Sequence, residues 1–214
     1  MTIRILLASL SFLILFGIVE LIYYKFHISK ELSRKLVHIF SAIIISVLPF
    51  WLSYYEIAVV AGLFVPVLYF SKRYNIFKAI HTVERSTLGE VYYPLAIVIV
   101  CLLKPSFFSY LFVVLTLGLS DGLAAVIGKH YGNKQFSILN SHKSYLGSAI
   151  FFISTATLGA TLLILFGLAN IVNVFSIVLI SIILTIIEAS SSKGLDNLLI
   201  PLVGLFLLRI AGLF

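Results

Sequence analysis

Charge is scarce in this sequence. Asp, Glu, Lys and Arg together supply 11% of its 214 residues, less than half the share of about 25% usual in soluble domains. Set beside a hydrophobic content of 61% and a mean hydropathy of +1.16, that deficit excludes a water-soluble globular domain. Cysteine is scarcer still. The single Cys101 lies inside an apolar run, which excludes an intrachain disulfide and offers no metal-ligand spacing. The familiar soluble signatures are missing too: no G-x-x-x-x-G-K-[ST], no G-x-G-x-x-G, no G-x-S-x-G and no H-E-x-x-H. Any phosphate binding must therefore be of a membrane-specific kind.

What the chain has in quantity is long apolar runs. They fall at 3–24, 36–52, 54–70, 91–103, 107–127, 145–168, 171–187 and 198–213. Their lengths predict an all-α, polytopic helical bundle of seven to eight transmembrane helices, with 91–103 short enough to be re-entrant. Glu20 interrupts the first run and no clean small-residue cleavage site follows, so it is expected to stay as the first helix rather than act as a signal peptide. One integral membrane domain over 1–214 is expected, with no second folded unit.

Eight spans put four connections, 25–35, 71–90, 128–144 and 188–197, on one side. Twelve of the fifteen basic residues sit there, all but Arg4, Lys104 and Arg209. The positive-inside rule predicts that this face is cytoplasmic. The net charge of +7 thus reflects membrane topology, and no nucleic-acid motif accompanies it. All five histidines and the acids Glu31, Glu84, Glu90, Glu188 and Asp196 lie in or beside the same loops, whereas the other face has Glu56. A topology bias does not require acids and histidines to join the lysines, so one chemically equipped, wet face is expected.

With only eight acids in the chain, Asp121 stands out because it lies inside an apolar run. An ionisable group in hydrocarbon is costly and marks a functional site by default. Counted from a loop starting near residue 128, its carboxylate is expected roughly 7–10 Å below the helix end. Gly118, Gly122 and Ala125 give it a small-residue face; helix packing would explain the glycines but not the acid. The following Gly128-Lys129-His130-Tyr131-Gly132-Asn133-Lys134 reads as a polar loop whose amides and ammonium groups could close on phosphate, ending at His142-Lys143-Ser144.

Three further clusters lie on the same face. Glu188-Ala-Ser-Ser-Ser-Lys-Gly-Leu-Asp196-Asn197 offers carboxylates for a hard divalent cation shared with phosphate and water, or Asp196 as a helix cap. Glu31-Leu-Ser-Arg34-Lys35-Leu-Val-His38 puts Arg34 and His38 on one helix face, suited to phosphate and to an acceptor hydroxyl, while Lys35 suits snorkelling equally. In Arg85-Ser-Thr-Leu-Gly89-Glu90-Val-Tyr92-Tyr93-Pro94 the tyrosines are expected as interfacial anchors, and Glu90 is harder to dismiss.

Taken in order, S-R-K-x-x-H, D-G-L-A-x-x-x-G-K-x-x-G, K-S-x-x-G-S and E-(x)7-D-N-L-x-x-P-L resemble the CTP-dependent lipid alcohol kinases. These are the phytol, farnesol and dolichol kinases with the CTP-dependent diacylglycerol kinases, and the pattern is more loosely shared with phosphatidate cytidylyltransferases. The match covers about residues 33 to 202. The resemblance implies γ-phosphoryl transfer from CTP to a membrane lipid hydroxyl, with Mg²⁺. It implies Asp121, Glu188 and Asp196 as metal-holding acids, with Arg34 and His38 beside them in catalysis. It also implies Lys35, Gly122, Gly128, Lys129, Gly132, Lys143, Ser144, Gly147 and Asn197 on the nucleotide, and Lys134 joins them as a loop cation. Ala125 stands where several members have a second Asp, and Leu195 where many have the first acid of an Asp-Asp-Asn triplet. Two alternatives remain at this point: a cytidylyltransferase forming a CDP-lipid, and a small transporter, whose polar groups would be expected nearer the midplane and within repeats.

Overall fold

The computed structural model describes residues 2–74, 76–77, 88–138 and 141–214. It is an all-α bundle of nine helices among those residues, with one small hairpin: α1 (Thr2–Phe26), α2 (Lys30–Val47), α3 (Tyr54–Tyr74), α4 (Gly89–Leu102), α5 (Phe107–Leu115), α6 (Asp121–Tyr131), β1 (Gln135–Ile138), β2 (Ser141–Ser144), α7 (Tyr145–Leu165), α8 (Ile171–Ser190) and α9 (Asp196–Ile210). Six helical stretches are long and apolar enough to cross a membrane, counting α5, the π-helical turn Thr116–Ser120 and α6 as one rod, Phe107–Tyr131. The stretch expected at 91–103 is the shorter α4, and the one expected at 198–213 is the fifteen-residue α9. Leu6, Leu7, Ile164, Ile171 and Phe206 point outward, as a lipid-facing surface requires. The protein is an integral membrane protein.

Local chemistry sets the helix ends. Ser29, Ser106, Ser144 and Asn170 each cap a helix by accepting a first-turn amide. Ser53 and Glu56 exchange backbone and side-chain bonds in a capping box at the start of α3 (2.9 and 3.3 Å), which is what the isolated acid of the far face does. Phe108, Tyr110 and Phe112 of α5 form the middle of the core, and the Tyr110 hydroxyl donates to the Ile45 carbonyl (2.9 Å), tying α5 to α2.

Two local expectations are corrected. The helix does not give way to a loop near residue 128; it runs on to Tyr131, so Asp121 lies about 15 Å from that end. The remaining loop folds into the antiparallel β1–β2 hairpin, Gln135 pairing with Ser144. Packing explains the longer helix. A Cβ on Gly128 would sit 2.8 Å from the Gly147 Cα, so the two glycines let α6 and α7 touch backbone to backbone.

Candidate active site

Asp121 follows the π-helical turn that joins α5 to α6, a type of irregularity frequent at functional sites. Gly118 and Gly122 flank it and lie against Ala42 and Ile39 of α2, where added Cβ atoms would clash. That close approach brings the polar face of α2 onto the acid. The Lys35 ammonium donates to Asp121 Oδ2 at 2.5 Å, and His38 Nε2 lies 3.3 Å from the same oxygen. His38 Nε2 is also 2.7 Å from the Leu117 carbonyl, which can only accept, so this ring nitrogen carries the proton. Asp121 itself is 1% exposed, turned into the bundle and away from lipid.

The second acidic group forms around Lys143, on β2. Its ammonium donates to Glu188 Oε1 and lies 3.7 Å from Asp196 Oδ2. Burial favours the neutral amine, but Glu188, Asp196 and Asp121 outweigh it and hold Lys143 above the ordinary lysine value. Lys143 thus senses all three carboxylates and links the Asp121 group to the α8–α9 group. Glu188 is 3% exposed, and its Oε2 has no hydrogen-bond partner. Asp196 is the first residue of α9 and not its cap: the N-cap position is Leu195, which makes no side-chain capping bond. Its Oδ1 accepts from the adjacent Asn197 amide (3.0 Å) and its Oδ2 faces Lys143.

The α8–α9 turn needs Gly194. Its φ is +85°, and a Cβ there would lie 2.4 Å from the Gly89 Cα. Asn197 Nδ2 donates to the Gly89 carbonyl (2.8 Å), so that turn fixes the start of α4. Glu90, one residue further, pairs with Lys72 at 2.9 Å.

These groups share one cavity of roughly 1040 Å³. Asp121, Glu188, Asp196, Arg34, Lys35, His38, Gly128, Lys129, Lys143, Ser144, Gly147 and Asn197 all line it. Gly122, Gly132 and Lys134 are not on its wall. Gly122 packs on Ile39, Gly132 against Gly128 and Ser144, and Lys134 is exposed. Ser144 accepts from the Gly147 amide and donates to the Gly128 carbonyl, both at 3.0 Å, so K-S-x-x-G is at least a helix cap and an α6–α7 clasp. Lys129 pairs with Glu31 at the rim. Lys78, His81, Glu84 and Arg85 lie outside the described residues.

Tyr93 departs from its expected place at the interface. Its ring packs on His38 (centroids 4.7 Å apart) on the cavity wall, and its hydroxyl is buried without a partner. Gln135, Ser141 and Ser191 to Lys193 also line the polar end, where only a hairpin and a tight turn could bring them. Beyond Tyr93 the wall turns apolar, through Phe12 and Phe16 of α1, Ile45 and Leu48, Ile57 to Leu68 of α3, and Ile97 of α4.

Among the described residues no three His, Cys, Asp or Glu side chains group closely enough to hold a metal alone. The donor set nevertheless fits a hard divalent cation that takes its remaining ligands from phosphate and water. Glu188 and Asp196 meet at one ammonium, and Glu188 keeps a buried oxygen with nothing to bond.

Among curated proteins the chain is similar to the phytol kinase of Synechocystis sp., 30% identical over 185 residues, which span 80% of this chain and 76% of that protein. No protein-family profile matches the chain. No solved structure matches it either.

Proposed function

The chain belongs to the lipid alcohol kinase family of that phytol kinase, and from this premise we propose that it transfers the γ-phosphoryl group of CTP to the hydroxyl of a membrane lipid alcohol at its cytoplasmic face. One observation carries the reading: a single cavity is acidic and basic at one end and apolar at the other. A kinase with a water-soluble donor and a lipid acceptor needs both environments within one bond's reach.

Phosphoryl transfer asks mainly for positioning and charge neutralisation. Arg34, Lys35, Lys129 and Lys143 supply positive charge around the cavity's polar end, and Arg34 is suited to grip phosphate in a bidentate fashion. Glu188, Asp196 and Asp121 would hold Mg²⁺, which when bound neutralises triphosphate charge. Lys35 and Lys143 would then exchange carboxylate partners for phosphate oxygens. Asp121 is the acceptor for the proton of the lipid hydroxyl in this reading, since His38 Nε2 is engaged as a donor to the Leu117 carbonyl. His38 instead orients the acid.

The test uses membranes bearing the full chain, a panel of isoprenoid alcohols and diacylglycerol, and CTP labelled at either the γ or the α phosphorus. Only the γ label should reach lipid, and only with magnesium. Transfer of the α label, with pyrophosphate released, would replace this reading by a cytidylyltransferase. ATP serving better than CTP would remove the donor assignment alone.

A further inference from the structure

The apolar end of the cavity lies between α1, α2, α3 and α4. On α3 its wall follows helical spacing, Ile57, Ala61, Phe64 and Leu68, and on α1 Phe12 and Phe16 both meet the Phe64 ring edge-on (5.4 and 5.8 Å). Lys72, on Glu90, marks the polar end of α3, so Leu68 is near the mouth and Ile57 is deepest. Ala61 is the smallest side chain in this stripe. It lies about 10 Å below Leu68 and about 6 Å above Ile57 along the helix.

Water in such a lane would find few polar partners, and an unfilled apolar void destabilises a protein in proportion to its volume. The lane is continuous with the carboxylate and ammonium cluster, so an occupant can have an apolar tail here and a polar head there.

We propose that the lane between α1 and α4 holds the single hydrocarbon tail of the acceptor alcohol, and that Ala61 sets the tail length admitted. This rests on the kinase reading and narrows it. Ala61 leaves the lane open to Ile57 and Leu48. A large side chain at 61 closes it after about 10 Å, so a short alcohol still reaches the site and a long one is held out of register.

The experiment compares wild type, Ala61→Leu, Ala61→Phe and, as control, Leu63→Phe, whose side chain is 52% exposed on the lipid side of the same helix. Proteins in nanodiscs are given geraniol or geranylgeraniol with γ-labelled CTP. The long-to-short ratio of kcat/KM should fall about tenfold or more in Ala61→Phe, by less in Ala61→Leu, and not at all in Leu63→Phe. Should Ala61→Phe fail to fold, Ala61→Leu carries the comparison. Binding is read separately with radiolabelled geranylgeranyl methyl ether, which has a tail but no transferable proton. It should bind wild type, bind Ala61→Phe weakly, and be displaced by geranylgeraniol but not by diacylglycerol. An unchanged ratio in folded Ala61 variants overturns the proposal, as does equal displacement by bilayer phospholipid. If wild type binds the ether but phosphorylates no alcohol, the kinase reading fails while the tail lane stands.

Discussion

The Lys35 ammonium and the Asp121 carboxylate, 86 residues apart, meet at 2.5 Å inside the bundle, where the acid is almost wholly buried. Breaking a buried pair by removing one charge costs about 3–5 kcal/mol, because the partner is left unpaired. Asp121→Asn should therefore lower the melting temperature as well as abolish turnover, with kcat down by a factor on the order of 10² to 10³ or more. Adding Lys35→Met should recover most of the stability and none of the activity. Wild-type-like turnover by Asp121→Asn in properly inserted protein would sink the assignment of this acid.

Lys143 gives a pH dependence with a definite sign. Its folded-state pKa is raised above the ordinary value of 10.5. The stabilisation it contributes is thus fully present below that value and is lost as pH rises through the higher, folded-state pKa. Melting curves of wild type in detergent should fall on the alkaline side of pH 10.5 more steeply than those of Lys143→Met. From neutral pH to pH 9 the lysine keeps its charge, so no step in activity should trace to it. Parallel alkaline limbs in the two proteins would show that the carboxylates do not hold the ammonium in this way.

Glu188 separates metal holding from charge pairing. Glu188→Gln keeps the shape, removes the charge facing Lys143 and weakens the oxygen that has no partner. The magnesium concentration for half-maximal activity should rise about tenfold or more at saturating CTP, while Lys143→Met should mainly raise the KM for CTP. A magnesium curve that does not move in Glu188→Gln would take this residue out of the metal set.

The bundle was legible in the sequence because hydrocarbon demands long apolar runs, and eight such runs leave little else to build. The candidate site was legible as four clusters on one face, since each acid there sits at or inside an apolar boundary where a soluble explanation fails. What escaped was everything set by contact between segments. Whether the glycines at 118, 122, 128 and 147 serve phosphate contact or helix packing is decided by Ala42, Ile39 and Ser144 lying against them, which no single segment shows. The hairpin escaped because two four-residue strands of largely polar residues carry no strong period of their own. Tyr93 looked like any tyrosine at a membrane edge until α4 was seen to pack it on His38.

That tyrosine yields a prediction that separates its hydroxyl from its ring. Its hydroxyl is buried with no hydrogen-bond partner, and an unsatisfied group of this kind costs about 1–3 kcal/mol. Tyr93→Phe removes that cost and keeps the ring against His38, so the substrate-free protein should melt at an equal or higher temperature. Tyr93→Ala removes the ring as well, leaving a cavity beside His38, and should cost about 3–5 kcal/mol together with most of the activity, because His38 loses the surface that holds it toward Asp121. Thermal unfolding and turnover of the two variants check this directly. A large drop in melting temperature for Tyr93→Phe would mean that the hydroxyl has a bonding partner, and would place Tyr93 within the polar network rather than beneath it.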